Sequence, residues 1–77
     1  MKKTCIIEAL WDANVKVWVA TSDDVPGLCT EAATMEKLVK KLDVMVPEIL
    51  KANGLLRSRK SIPFKVLSEV NSVAHIQ

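Results

Sequence analysis

Glycine is scarce in this 77-residue chain, where Gly27 and Gly54 are the only two. A phosphate-cradling loop needs clustered glycines so that backbone amides can approach the anion, and none can be formed here. Histidine is scarcer still. His75 stands alone near the C-terminal end, where no serine or cysteine can be placed beside it, so nucleophilic catalysis through it is not expected. Cys5 and Cys29 are too few and too far apart for a disulfide framework or a zinc site. They are expected as reduced thiols buried in strands, with a bridge between them only if those strands are neighbours. No apolar run approaches the roughly 20 residues that span a bilayer.

Met1-Lys2-Lys3 followed by Thr4-Cys5-Ile6-Ile7 briefly has the form of a signal peptide. Glu8 and Asp12 interrupt the apolar run, however, and no small-residue cleavage site follows. A soluble, cytoplasmic protein without a membrane partner is expected.

Apolar residues make up 49% of the sequence, too many for a disordered chain. The length allows one domain, residues 1–77, and such a domain buries only about 60% of its unfolded surface. Its stability margin is thin, and association would add to it. Eleven basic against nine acidic residues give a net charge of +2, which neither demands nucleic acid nor excludes it.

The chain is organised around the stretch from Val15 to Leu28. Val15, Val17 and Val19 alternate with Lys16, Trp18 and Ala20, the period-2 pattern of a half-buried strand. Asp23 and Asp24 then lead into Val25-Pro26-Gly27-Leu28. Proline presets the first central position of a type II turn, and glycine takes the positive φ of the second.

Before it, Thr4 to Trp11 forms a first strand, turned back through Asp12-Ala13-Asn14. Two registers compete. A three-residue loop with Asn14 left-handed asks less of the backbone than a two-residue loop with Ala13 at positive φ. It places Cys5, Ile7, Ala9, Trp11, Val15, Val17 and Val19 on the covered face. Ile6, Glu8, Leu10, Lys16, Trp18 and Ala20 take the other, and this is the expected register.

Leu28 to Ala32 makes a short third strand, and Thr34 is suited to cap a helix. Met35, Leu38, Val39, Leu42, Met45, Val46, Ile49 and Leu50 then recur at three- and four-residue spacing, with charged residues opposite. This predicts an amphipathic helix ending at Asn53-Gly54, with a kink at Pro47 rather than a break because the stripe continues past it. A basic connection carries Arg57, Arg59 and Lys60, and Ile62 to Asn71 forms a last strand with Phe64, Val66 and Val70 inward. Pro63 assigns that strand an edge position or marks its beginning. The fold class is α+β in the order β-β-β-α-β, a four-stranded sheet with one helix on one face.

Several of these features resemble a known family when taken together. They are Trp11-Asp12, Val17-Trp18-Val19-Ala20, Asp23-x-x-Pro26-Gly27-Leu28, Thr30-Glu31-Ala32, Val46-Pro47-Glu48 and Asn53-Gly54. The pattern looks like that of a short bacterial domain family without assigned function, related to the HicB antitoxin N-terminal domain. The match covers about residues 4–54, and the rest agrees in element order. The resemblance implies a partial ribonuclease-H-like fold without nuclease activity. It also implies a role in neutralising a small HicA-like RNA-cleaving toxin. HicB proteins usually bind DNA through an added C-terminal domain, and none is expected after the fourth strand.

In the chosen register Ile6, Leu10 and Trp18 cluster on the sheet face away from the helix, which suggests a protein interface, most simply that of a homodimer formed through this open face or an edge strand. Trp11, on the inward face, belongs to the core. Asp12, Asp23, Asp24 and Glu31 invite a metal-nuclease reading, but Asp is already favoured in turns, and no metal or cofactor is expected. Arg57, Arg59 and Lys60 could contact phosphate. Against that, the helix lysines alternate with acids as on a solvated face, and no exposed aromatic pair is available to stack bases. The expected function is non-enzymatic protein binding, with a nucleic-acid module using the 57–60 loop as the alternative.

Overall fold

The computed structural model describes residues 4–55 and 61–77. Four strands and one helix follow the expected order: β1 (Cys5–Asp12), β2 (Val17–Thr21), β3 (Cys29–Ala32), α1 (Met35–Ala52) and β4 (Phe64–Glu69). The strands form one sheet in the order β3-β2-β1-β4. β1 pairs antiparallel with β2 and parallel with β4, and β2 pairs antiparallel with β3. The helix therefore carries the chain from one edge of the sheet to the other.

Local chemistry accounts for each boundary. The Lys37 amide donates to the Thr34 hydroxyl at 3.1 Å, capping α1. At its other end the Gly54 amide donates to the Lys51 carbonyl and the Leu55 amide to the Leu50 carbonyl. Gly54 has φ +70°. These paired bonds around a left-handed residue are a Schellman motif. Between the two caps the helix runs unbroken through Pro47. The type II turn forms as read, with Gly27 at φ +89° and the Leu28 amide donating to the Val25 carbonyl at 3.0 Å.

Leu38, Leu42, Val46 and Leu50 bury one row of the helix. They meet Cys5, Ile7 and Ala9 of β1, Ala20 of β2, Ala32 of β3, and Val25 and Leu28 from the turn. Ala9 and Ala20 are directly paired and wholly buried. Small side chains in the two central strands give the leucine row room to approach the sheet.

The β1–β2 register differs from the expected one. Asp12 pairs with Val17, leaving Ala13–Lys16 as a four-residue loop, and it is Lys16, not Asn14, that takes positive φ (+57°). The Asp12 carboxylate accepts from the Asn14 amide, and the Asp12 carbonyl accepts from the Lys16 amide at 2.7 Å. This shifts the expected pairing by an odd number of residues, so the faces of β2 exchange. Trp18 and Ala20 point under the helix with Ala9 and Trp11, while Val17 and Val19 share the open face with Ile6 and Leu10. Both faces of β2 are apolar, so face contrast does not oppose the exchange. The inward arrangement joins Trp11 and Trp18 edge to face, with ring centroids 5.3 Å apart.

Candidate functional site

The sheet face opposite the helix is the main candidate. Ile6, Glu8 and Leu10 of β1 alternate outward while Cys5, Ile7 and Ala9 are buried. Ile6 is 38% exposed and Leu10 51%. Leu10 lies between Val19 of β2 and Glu69 of β4, and Glu8 between Thr21 and Leu67, which is 52% exposed. Lys65 sits beside Ile6, and Glu31 and Cys29 continue the face onto β3. The result is a face on which Ile6, Leu10, Val19 and Leu67 surround Glu8, with Lys65, Glu69 and Glu31 beyond them.

Trp18 is not part of it. The register turns its ring to the helix side, half-buried against Trp11 and the core, so the expected Ile6–Leu10–Trp18 cluster loses its tryptophan. Val19 and Leu67 take its place. Val19 was hidden by the register, whereas Leu67 could have been read from parity, since it alternates with the inward Phe64 and Val66.

The turn residues are structural. β2 stops pairing at Thr21, and side chains then continue the ladder along β1. The Ser22 hydroxyl donates to the Ile6 carbonyl at 2.6 Å, and the Ile6 amide donates to the Asp24 carboxylate at 2.8 Å. The Asp24 amide in turn donates to Ser22 Oγ. Asn53, past the helix end, donates its side-chain amide to the Pro26 carbonyl at 3.0 Å, tying the turn to α1. Asp23 is exposed. Among the described residues no three of His, Cys, Asp and Glu come together in a way that could hold a metal ion. Asp12 and Asp24 are occupied with backbone amides.

Cys5 is buried, but Cys29 is exposed, against expectation, because it falls on the open-face parity of β3. β2 lies between their strands, and no disulfide joins them. Arg57, Arg59 and Lys60 lie outside the described residues. Among the described residues no helix is long and apolar enough to cross a membrane.

Among the described residues, open depressions flank the sheet on the helix side. One of about 610 Å³ runs between α1 and β4, lined by Met35, Val39, Ile62, Phe64 and Val66. Another, about 490 Å³, lies by Trp11, Trp18, Met35 and Val70.

This chain matches, over residues 4–77, the family described as a domain of unknown function, DUF1902, and belongs to that family. It is similar in structure to the hypothetical protein TTHA1013 from the extremely thermophilic bacterium Thermus thermophilus, known from a crystal structure. The TM-score is 0.72 and the identity 47%, over 96% of this chain and 100% of that one. Among curated proteins no match is found.

Proposed function

We propose that this domain is a non-enzymatic, cytoplasmic protein-binding module. It self-associates and, through the uncovered face of its sheet, sterically blocks a small HicA-like RNA-cleaving toxin. The observation that carries the reading is the group of exposed apolar residues Ile6, Leu10 and Leu67, with half-buried Val19, around Glu8 on the uncovered face. Large apolar side chains gathered on an uncovered sheet face mark a protein interaction surface. The toxin is suggested by the sequence resemblance to the HicB antitoxin N-terminal domain, whose partners are of that class.

The test is sedimentation equilibrium of the wild type and Leu10→Asp, alone and with a purified HicA-type ribonuclease, over a range of salt. Apolar association tolerates salt, so wild-type complexes should persist at high salt. Leu10→Asp, which is exposed and so compatible with the fold, should weaken toxin binding. The opposite outcome is no protein association but binding of a synthetic RNA that falls steeply with salt. That result would replace this reading with nucleic-acid binding through Arg57, Arg59 and Lys60.

A further inference from the structure

The two edges of the sheet are unlike. β3 has four residues, and its Glu31 carbonyl already accepts from the Lys41 ammonium at 2.6 Å. β4 has six residues, and among the described residues no strand or side chain bonds along its outer side. The groups on that side can be identified. Cys5 donates its amide to the Pro63 carbonyl at 3.0 Å, so Pro63 faces β1. Alternation along the strand then directs the amides and carbonyls of Lys65, Leu67 and Glu69 toward β1. Those of Phe64, Val66 and Ser68 point outward. The donor missing from Pro63 lies on the paired side, and the free edge is whole.

We propose that this edge pairs antiparallel with the same edge of a second copy, about a two-fold axis at Leu67, giving one continuous eight-stranded sheet. The inference rests on the reading that the domain self-associates, and it specifies how.

Charge complementarity selects the second copy as the occupant. Lys65, Leu67 and Glu69 point to the open face in the order cation, leucine, anion. Antiparallel pairing centred on Leu67 sets Lys65 against the partner's Glu69, and the reverse, with the two leucines in contact between them. Opposite charges facing each other across strands stabilise a pair, and like charges oppose it. Moving the centre by one residue sets a leucine opposite a charge and loses both ion pairs. The same register brings outward-facing backbone to outward-facing backbone, Val66 with the partner's Ser68 and Phe64 with the partner's Val70. Val70 lies just past the last residue paired to β1 and is 58% exposed. It would reach the mouth of the groove lined by Met35, Val39, Ile62, Phe64 and Val66 on the other copy.

The experiment uses the full chain in a Cys29→Ser background, since Cys29 is exposed. Leu67→Cys places two thiols across a non-hydrogen-bonded antiparallel pair, about 4.5 Å between Cα atoms, and should give a disulfide-linked dimer under mild oxidation. Lys65→Cys should not, because the two copies of residue 65 are then roughly 14 Å apart. In sedimentation equilibrium, Lys65→Glu should raise the dimer dissociation constant about tenfold, and the double exchange Lys65→Glu/Glu69→Lys should restore it. A chain that stays monomeric at all concentrations overturns the proposal, and retained toxin binding in that case leaves the protein-binding function standing. A dimer indifferent to Lys65→Glu and untrapped by Leu67→Cys, but lost in Leu10→Asp, also overturns edge pairing and moves self-association to the open face.

Discussion

The register of β1 against β2 decides which side chains this protein shows to a partner, and two truncations test it. Trp18 lies on the helix side, half-buried against the core and edge to face with Trp11 at 5.3 Å and 60°. A fully buried tryptophan costs about 3–5 kcal/mol on truncation to alanine. With partial burial the expected loss is about 2–4 kcal/mol, of which roughly 0.5–1.5 belongs to the ring pair. Val19 is half-buried on the open face opposite Leu10, and removing two of its methyl groups should cost about 1 kcal/mol or less. A domain of this size has roughly 4–12 kcal/mol of stability in all, so Trp18→Ala removes a large share and Val19→Ala a small one. Urea unfolding followed by far-ultraviolet circular dichroism is the assay, because fluorescence would change with the tryptophan itself. It is run dilute, since association of the native state adds to apparent stability. An unchanged urea dependence would confirm that the midpoint shift reports stability. If Val19→Ala cost as much as Trp18→Ala, the faces of β2 would have to be exchanged, and the open-face assignment would fall with them.

Other predictions follow from local geometry. Gly27→Ala should destabilise by about 0.5–1 kcal/mol: an added Cβ meets nothing within 4 Å. What remains is the penalty of φ +89°, about 1–2 kcal/mol, less what alanine recovers by restricting the unfolded chain. Equal melting temperatures would refute the type II turn. Pro47→Ala should stabilise by about 1–3 kcal/mol, because the helix is already continuous through this position and regains a backbone donor; a lower denaturation midpoint would mean that the proline ring contributes contacts of greater worth. Asp24→Ala should cost about 1–2 kcal/mol by stranding the Ile6 amide. Hydrogen exchange at that amide should quicken in the variant, and an unchanged rate would show the bond to be idle.

What the sequence made legible was local. The helix was announced by the stripe from Met35 to Leu50, a threonine before it and Asn53-Gly54 after it, each acting within a few residues. The turn at Pro26-Gly27 was equally self-contained, since only glycine suits its second position at little strain. Register was not legible in the same way. A period-2 strand declares its inner face only when its two faces differ, and Val17, Trp18, Val19 and Ala20 are apolar on both. Its choice then passed to the loop, where Lys16, a residue with no special taste for positive φ, takes φ +57°. The exposure of Cys29 follows from that same register, through the β2–β3 pairing. The parallel pairing of β1 with β4 joins segments more than fifty residues apart, and no short-range signal carries it.

The composition of β1 links the open face to the free edge. β1 is bonded on both sides, and its residues read Cys-Ile-Ile-Glu-Ala-Leu-Trp-Asp, apolar toward the helix and, away from it, Ile6 and Leu10 alternating with Glu8 and Asp12. A strand with one wet face alternates apolar with polar, whereas Ile6 and Leu10 add apolar side chains to the uncovered side. The helix covers one side only, so Ile6 and Leu10 are left without a cover among the described residues. Edge pairing of β4 with a second copy would not provide it. Outward residues pair with outward residues, so both helices would lie on one side of the joined sheet and both open faces on the other. The two open faces would then adjoin in one broader surface, with Ile6 and Leu10 of each copy flanking the paired Leu67 side chains at the axis. Edge association and face recognition are thus complementary: the first enlarges the surface that the second uses. A variant that loses the edge should bind a face-directed partner more weakly even with every open-face side chain intact.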